Sequence, residues 1–203
     1  EFIRDTILAA SGILVTDIGG KGVKPYQPPG LWNELSLGGN VRFVQDHGEK
    51  LYRRGMYTYW KRSAPAPSLT IFDTPTREKC VLRRSRTNTP LQALVLLNDP
   101  QYIEAARNLA QKVALEAGDS LAARIVLAYR LATAHRPSFK TLNILKAAYK
   151  EELAIFRKDP ARAAKLLKVG ESKRDETIDA AEHAALTIIT SMILNLDATV
   201  TKG

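Results

Sequence analysis

The chain has 203 residues, of which 45% are hydrophobic and 25% are charged, and its 30 basic and 21 acidic side chains give a net charge of +9. This composition is ordinary for a globular protein and predicts one good-sized core or two small ones. The most apolar stretch, 184–196, is too short for a membrane span and contains four polar residues, Thr187, Thr190, Ser191 and Asn195. The single cysteine excludes an internal disulfide and a paired-cysteine metal or haem motif.

Helical patterns follow one another along the chain. They lie at about 1–13, 47–62, 90–97, 100–117, 120–133, 138–157, 160–168 and 175–196. The first helix begins at once, without an initiator methionine or a leader pattern, so we expect a piece of a longer protein.

The two halves of the chain differ in composition. Residues 1–99 hold seven of the ten prolines and nine of the fourteen aromatic residues, whereas residues 100–203 are rich in alanine. We therefore predict a mainly α fold, in which an irregular, basic, aromatic- and proline-rich part (1–99) packs on a multi-helix C-terminal part (100–203) of the same domain. The segments 19–30 and 63–89 are too long for simple connections, and we expect another domain to cover part of this surface.

A cluster of arginines runs into a well-marked helix start. Thr89 is a favourable N-cap, Pro90 suits the first helical position, and Gln92 completes a capping box. The N-terminus of a helix attracts anions, so Arg83, Arg84, Arg86 and Thr89 form a candidate anion-binding site. The alternative is that the arginines point inward and tie the long segment to Asp73, Glu78 or Asp99 and to carbonyl groups of the loop. We favour this alternative because long loops need such ties.

A second candidate site is an aromatic and basic platform on the predicted helix 47–62. Its residues are Tyr52, Arg53, Arg54, Tyr59 and Trp60. Such a surface can stack on sugars or bases and pair with their charges. Aromatic stripes at helical spacing more often face a core, so we favour a packed helix with solvated arginines.

Three further residues, Asp46, His47 and Glu49, are weak candidates for acid–base catalysis. Their spacing is too generic to predict a metal site, and Asp46 or His47 serves equally well as a helix cap. For Cys80 we expect a buried structural thiol.

The excess positive charge is concentrated in one stretch. Between Arg42 and Arg86 there are eleven basic and four acidic residues, a local net charge of +7. This stretch is a candidate surface for an acidic partner, such as a nucleic acid or an anionic polysaccharide. In the alternative interpretation, many of these arginines bind carbonyl groups and carboxylates within an irregular region.

Four blocks of sequence resemble a known family in order. They are Lys24 to Trp32, Leu51 to Arg62, Phe72 to Cys80 and Arg83 to Asp99, and Leu194 to Asp197 resembles the family's C-terminal ending. The family is the planctomycete-specific PSD domain, domain of unknown function 1553, and the chain resembles its C-terminal part. No catalytic residues are established for the family, so the resemblance implies none.

The resemblance implies a context. Members are large exported proteins in which this domain follows a cytochrome c-like module, so a periplasmic or cell-envelope location is expected. Haem is expected only on that separate module, with no cofactor in this chain. We expect a module that docks onto other domains of the same polypeptide and presents a basic surface to acidic glycans. One alternative is part of a polysaccharide-active enzyme, including an oxidative one. The other is a nucleic-acid-binding protein, which fits the charge but not the compartment.

Overall fold

The computed structural model of the protein describes residues 1–34 and 42–201, and in these ranges it is mainly helical. The ten α-helices of the described ranges are α1 Phe2–Ser11, α2 Leu31–Glu34, α3 Pro67–Ile71, α4 Pro90–Asn98, α5 Pro100–Glu116, α6 Leu121–Thr133, α7 Phe139–Lys158, α8 Pro160–Leu167, α9 Ala180–Leu194 and α10 Asp197–Val200. Two short 3-10 helices, Gly48–Tyr52 and Gly55–Tyr57, lie between α2 and α3. The predicted mainly α fold is confirmed.

Side-chain caps fix where the C-terminal helices begin. At the start of each of α5 to α9, a side-chain oxygen of the N-cap residue accepts a hydrogen bond from a backbone N–H of the first turn. The N-cap residues are, in order, Asp99, Ser120, Ser138, Asp159 and Asp179. Each such cap contributes about 1 kcal/mol to stability. Asp99 and Asp159 are also the single residues that separate α4 from α5 and α7 from α8, so the chain turns sharply at both places.

The core is centred on the packing of α5 against α9, with α1, α6, α7 and α8 around this pair. The facing residues are small, including the fully buried Ala105 and Ala106 of α5 and Ala184 and Ala185 of α9. Small side chains let the two helices approach closely. The hydroxyl of Thr190 donates a hydrogen bond across this contact to the carbonyl oxygen of Ala106 at 2.8 Å.

A buried arginine holds the irregular part on this core. Arg4 of α1 is 2% exposed, and its Nε donates to Oε1 of Gln101 in α5 at 2.8 Å. Its Nη2 donates to the carbonyl oxygen of Leu51 at 2.7 Å, and its Nη1 donates to that of Arg53. One guanidinium group therefore joins α1, α5 and the C-terminal end of the first 3-10 helix.

The predicted helix over 47–62 is wrong. The backbone is extended at Arg53 and Thr58, which end the two 3-10 helices. These two residues form isolated parallel bridges with Val15 and Val23. Pairing with the preceding irregular segment therefore replaces the helical hydrogen bonds that the aromatic spacing predicted.

Other differences from the predicted elements are smaller. The last long helix begins at Ala180 rather than near 175, because Oδ1 of Asp175 accepts hydrogen bonds from the N–H and hydroxyl of Thr177 and holds a turn there. The segment 63–89 contains the short helix α3, which the sequence did not predict.

Candidate docking surface

The start of α4 has the predicted geometry. Oγ1 of Thr89 accepts a hydrogen bond from the N–H of Gln92 at 3.4 Å, and Oε1 of Gln92 accepts one from the N–H of Thr89 at 3.1 Å. The carboxamide of Gln92 also donates to the carbonyl oxygen of Ile71 at 2.9 Å, which ties α3 to α4. The capping box is confirmed, and the hydroxyl of Thr89 is occupied by the cap.

The three arginines before α4 have different surroundings. Nη1 of Arg84 lies 2.6 Å from Oε2 of Glu1, whose other oxygen lies 3.3 Å from Nη2 of Arg77. Arg83 and Arg86 are exposed, and neither forms an ion pair with a residue of the described ranges. Arg84 therefore ties the segment to the start of α1, while Arg83 and Arg86 are open to an external anion.

The carboxylates that we expected to bind these arginines have other partners. Oδ2 of Asp73 accepts hydrogen bonds from the N–H and the hydroxyl of Thr87, each at 2.8 Å. Oε1 of Glu78 lies 3.8 Å from Nη2 of Arg62. Oδ1 of Asp99 accepts a hydrogen bond from the N–H of Gln101 at 2.9 Å and so caps α5. The expected ties from the arginines to Asp73, Glu78 or Asp99 are therefore wrong, because these three carboxylates bind Thr87, Arg62 and Gln101 instead.

A long stretch of chain that ends with the first two residues of α4 lies in solvent. All sixteen residues from 76 to 91 are exposed, and five basic and one acidic side chain give 76–91 a net charge of +4. The stretch includes Leu82, which is fully exposed, and Val81, which is 49% exposed. Cys80 is exposed as well, so the expected buried thiol is wrong. An irregular segment that buries so little of itself gains little free energy to offset the entropy of its ordering.

The helix that follows carries apolar residues on its outer side. Leu91, Leu94 and Leu97 are 53%, 55% and 42% exposed and share one face because they are three residues apart. Gln92 and Leu96, on the opposite side of α4, are buried. We call Leu91, Leu94 and Leu97 the leucine face, and residues 76–91 together with this face the docking surface.

The residues of the predicted platform do not form one surface. Tyr52 is buried, and the guanidinium of Arg53 lies 4.0 Å from the ring centre of Tyr57 while donating to the carbonyl oxygens of Asp17 and Gly19. Nε1 of Trp60 donates to the carbonyl oxygen of Thr76 at 3.1 Å. The shared helical face on which the platform depended is absent from the described segment, since it forms no α-helix.

A different group of aromatic and basic residues does come together. The ring of Trp32 contacts those of Phe43 and Tyr59, with centres 5.3 and 5.9 Å apart. Nζ of Lys61 lies 4.4 Å from the centre of the Trp32 ring, and Nζ of Lys24 lies 5.4 Å from that of Tyr59. These cation–π contacts hold the segments around residues 24, 32 and 59 together. Arg54, the remaining platform residue, is exposed.

The three weak catalytic candidates contact different parts of the structure. Oδ2 of Asp46 accepts a hydrogen bond from the N–H of Lys24 at 2.8 Å, and Nδ1 of His47 lies 2.7 Å from Oε1 of Glu171. Glu49 is exposed and lines a surface pocket of about 350 Å³ beside Gly19 and Gly20. Within the described ranges, no three His, Cys, Asp or Glu side chains are arranged to hold a metal ion.

Sequence analysis missed a buried network on α5. Oε1 of Glu104, which is fully buried, accepts hydrogen bonds from the hydroxyl of Tyr52 at 2.8 Å and from the backbone N–H groups of Glu171 and Ser172 at 2.7 and 2.6 Å. The same oxygen lies 3.7 Å from Nη2 of Arg107, which is 1% exposed. Burial raises the pKa of Tyr52, and its hydrogen bond to Glu104 raises it further, so the hydroxyl stays protonated and donates.

The loop after α8 completes this network. Gly170 has a φ of +87°, and a Cβ there would lie 2.2 Å from Cδ of Glu104. The next residue, Glu171, accepts hydrogen bonds from Gln45, His47 and Gly48. Burial alone would raise the pKa of Glu171, but these hydrogen bonds outweigh it and hold the pKa below its ordinary value. The loop thus joins the irregular part to α5 on two sides.

Local sequence did contain a signal for the network. Glu104, Arg107 and Asn108 lie three and four residues apart on α5, so they share a face, and the alanines and leucine beside them are buried. The partners Tyr52 and Ser172 are more than fifty residues away in the chain, so the sequence alone could not identify them.

The chain is an all-α module that carries a long exposed segment. The family model PSD1, described as a protein of unknown function (DUF1553), matches residues 1–149. Since this match covers well over half of the 203 residues, the chain belongs to that family. No curated protein and no solved structure matches the chain. None of the described helices is long and apolar enough to cross a membrane.

Proposed function

We propose that this chain is a docking module of a larger exported protein and that its docking surface binds an acidic neighbouring domain. The observation that carries the proposal is the run of sixteen exposed residues, with a net charge of +4, that leads directly into the leucine face of α4. An exposed irregular segment of this length inside a packed domain is uncommon unless it binds something.

The leucine face supplies the apolar part of this contact. Fully burying one leucine side chain is worth about 1.5–3 kcal/mol, and Leu91, Leu94 and Leu97 are each about half exposed. Covering the rest of all three would contribute roughly 2–4 kcal/mol, before the cost of association is subtracted. This contribution needs a partner with a complementary apolar surface.

The unpaired arginines define the charge of the partner. Arg83 and Arg86 belong to the docking surface and have no carboxylate partner in the described ranges. Charges at the rim of an interface raise the association rate and suppress partners of like charge. An acidic protein domain with an apolar patch satisfies both parts of the surface, whereas a polysaccharide or a nucleic acid satisfies only the basic part.

The resemblance to the family supports a partner that belongs to the same polypeptide. Relatives that carry this domain after a cytochrome c-like module would place a second domain of the same polypeptide next to it, in the periplasm or cell envelope. In that arrangement the haem belongs to the neighbouring module, and this chain contributes the surface on which the module rests.

The test measures binding of this chain to the remaining domains of the natural polypeptide by calorimetry. We expect Leu94→Glu to weaken binding at least about tenfold, since it buries a charge in the apolar contact. Leu115→Glu is the matched control, because Leu115 of α5 is 56% exposed and lies outside the docking surface. The same loss in both variants would contradict the proposal.

The other polyanions are tested in the same way. We expect polygalacturonate and duplex DNA to bind weakly and to lose binding as salt rises from about 50 to 200 mM. Binding of either polymer as tight as that of the protein domain, and unchanged by Leu94→Glu, would overturn the assignment of a protein partner.

A further inference from the structure

A groove of about 200 Å³ lies beside the docking surface, between α1, α4 and α10. Its apolar lining comes from five residues, Ile3, Phe72, Ala93, Leu96 and Val200. Asn88, Asn195 and Thr201 supply polar groups at its sides. The groove therefore combines an apolar interior with side chains that can hydrogen bond to a peptide backbone.

The size of the groove limits what it can hold. Sites for small molecules and cofactors usually measure about 300–1,000 Å³, so this groove is too small for most of them and suits a single side chain. Its wall is supported from behind, because the ring of Phe72 packs edge-on against Tyr102 with centres 6.3 Å apart. Tyr102 belongs to α5 and is buried in the core. A pocket of this kind typically receives one anchor residue of a protein partner.

The side of the groove at the start of α4 is basic. Arg86 is two residues before Asn88, so the two Cα atoms are at most about 7 Å apart. The long side chain of Arg86 can therefore reach a group seated over Asn88. One carboxylate lines the groove, that of Asp197, and it already accepts a hydrogen bond from the hydroxyl of Thr201 at 2.8 Å. The carboxylate of Asp73 binds the lining residue Thr87.

We infer that this groove binds one apolar side chain of an acidic protein segment, whose carboxylates pair with Arg83 and Arg86. The inference rests on the proposed docking function and names how the partner is recognised. Asp197 lies on the α10 side of the groove, where its negative charge would repel other carboxylates. The acidic residues of the bound segment therefore lie on the α4 side of the anchor residue. Asn88 has no hydrogen-bond partner in the described ranges and is free to bind the backbone of the segment.

The first experiment uses designed peptides on the full 203-residue chain. The probe is an acidic ten-residue peptide of Asp, Glu and Gly with one central Phe, compared with versions in which Phe is replaced by Ala or the acidic residues by Lys. Burial of the ring makes the Phe peptide at least about tenfold tighter than the Ala peptide. In a ¹⁵N-labelled chain, we expect the largest shift changes at Phe72, Asn88, Ala93 and Val200.

The second experiment fills the groove. Ala93 lines it, and Ala93→Phe would occupy the space with a ring without removing an existing apolar contact. We expect this variant to weaken the Phe peptide at least about tenfold. Ala122→Phe on α6 is the matched control, since Ala122 is also a half-buried helical alanine and lies outside the groove.

The charge requirement has its own control. Arg86→Glu is expected to weaken the acidic peptide several-fold, whereas Arg136→Glu, the same change at an exposed residue between α6 and α7, leaves it unchanged. Equal binding of the Phe and Ala peptides to the unmodified chain would overturn the inference, and this result does not depend on the folding of any variant. If Leu94→Glu blocks the partner domain and Ala93→Phe does not, the docking function stands and the groove assignment fails.

Discussion

Neutralising Glu104 tests how the irregular part is held on the helical core. The substitution Glu104→Gln keeps the size of the side chain and an oxygen that can accept from Tyr52, Glu171 and Ser172. It removes the negative charge that lies 3.7 Å from the guanidinium of Arg107. Because Arg107 is 1% exposed, water cannot replace the lost partner.

The expected loss of stability follows from this burial. Removing one partner of a buried ion pair costs about 3–5 kcal/mol, because the remaining charge is left without compensation. We expect about 3 kcal/mol for Glu104→Gln, near the lower limit, since Nη2 of Arg107 still donates to the carbonyl oxygen of Ser172 at 2.6 Å. A domain of this kind has a total free energy of unfolding of roughly 5–15 kcal/mol, so the loss is large.

Urea unfolding followed by circular dichroism measures this loss. Glu176→Gln, at an exposed position, is the control and should change the free energy of unfolding by less than about 0.5 kcal/mol. In the double variant Glu104→Leu with Arg107→Met, both charges are gone, and we expect less destabilisation than the sum of the two single changes. A loss below about 1 kcal/mol in Glu104→Gln would refute the reasoning.

Three other predictions concern backbone strain, pH and capping. Gly170→Ala should destabilise by more than about 2 kcal/mol in thermal unfolding, because its Cβ meets Glu104, whereas Gly118→Ala, with positive φ but open space, should cost about 1 kcal/mol. Burial lowers the pKa of His183 below 6.5, so the unfolded chain gains this proton at a higher pH than the folded chain does. The free energy of unfolding should therefore drop below about pH 6.5, by up to about 1.4 kcal/mol per pH unit, and His183→Gln should lack this part of the slope in urea titrations. Thr89→Ala should cost about 1 kcal/mol in the same assay; no loss would contradict the observed capping box.

Local chemistry made the helix starts predictable. The box formed by Thr89 and Gln92 depends only on neighbours in the chain and occurs where the sequence placed it. The helix predicted to begin at residue 100 does begin there, after the cap that Asp99 supplies. The bulk of the helical half follows from the same local signals together with apolar periodicity.

Long-range pairing explains what the sequence did not predict. The aromatic spacing of 47–62 fits a helix, but bridges from Val15 and Val23 hold the backbone extended. Likewise, the face of α5 that carries Glu104 has polar residues at helical spacing, which a sequence-based interpretation assigns to solvent. Its burial depends on Tyr52 and Ser172, which only the folded chain brings near.

For the exposed segment, the sequence predicts external cover from the length of the segment and an acidic partner from its basic residues, and both stay predictions. Which arginines would be free depended on Glu1, which binds Arg77 and Arg84 from the start of α1 and leaves Arg83 and Arg86 in solvent. No local pattern around residue 84 indicates this contact.

Hydrogen exchange at the backbone of residues 76–91 tests the docking function most directly. The measurement compares this chain alone with the complete natural polypeptide at the same pH and temperature. We predict fast exchange in the isolated chain at residues 79–86, which are exposed and whose N–H groups donate no hydrogen bond within the described ranges, and at least about tenfold slower exchange of these amides in the complete polypeptide. Equal exchange rates in the two proteins would contradict the docking function.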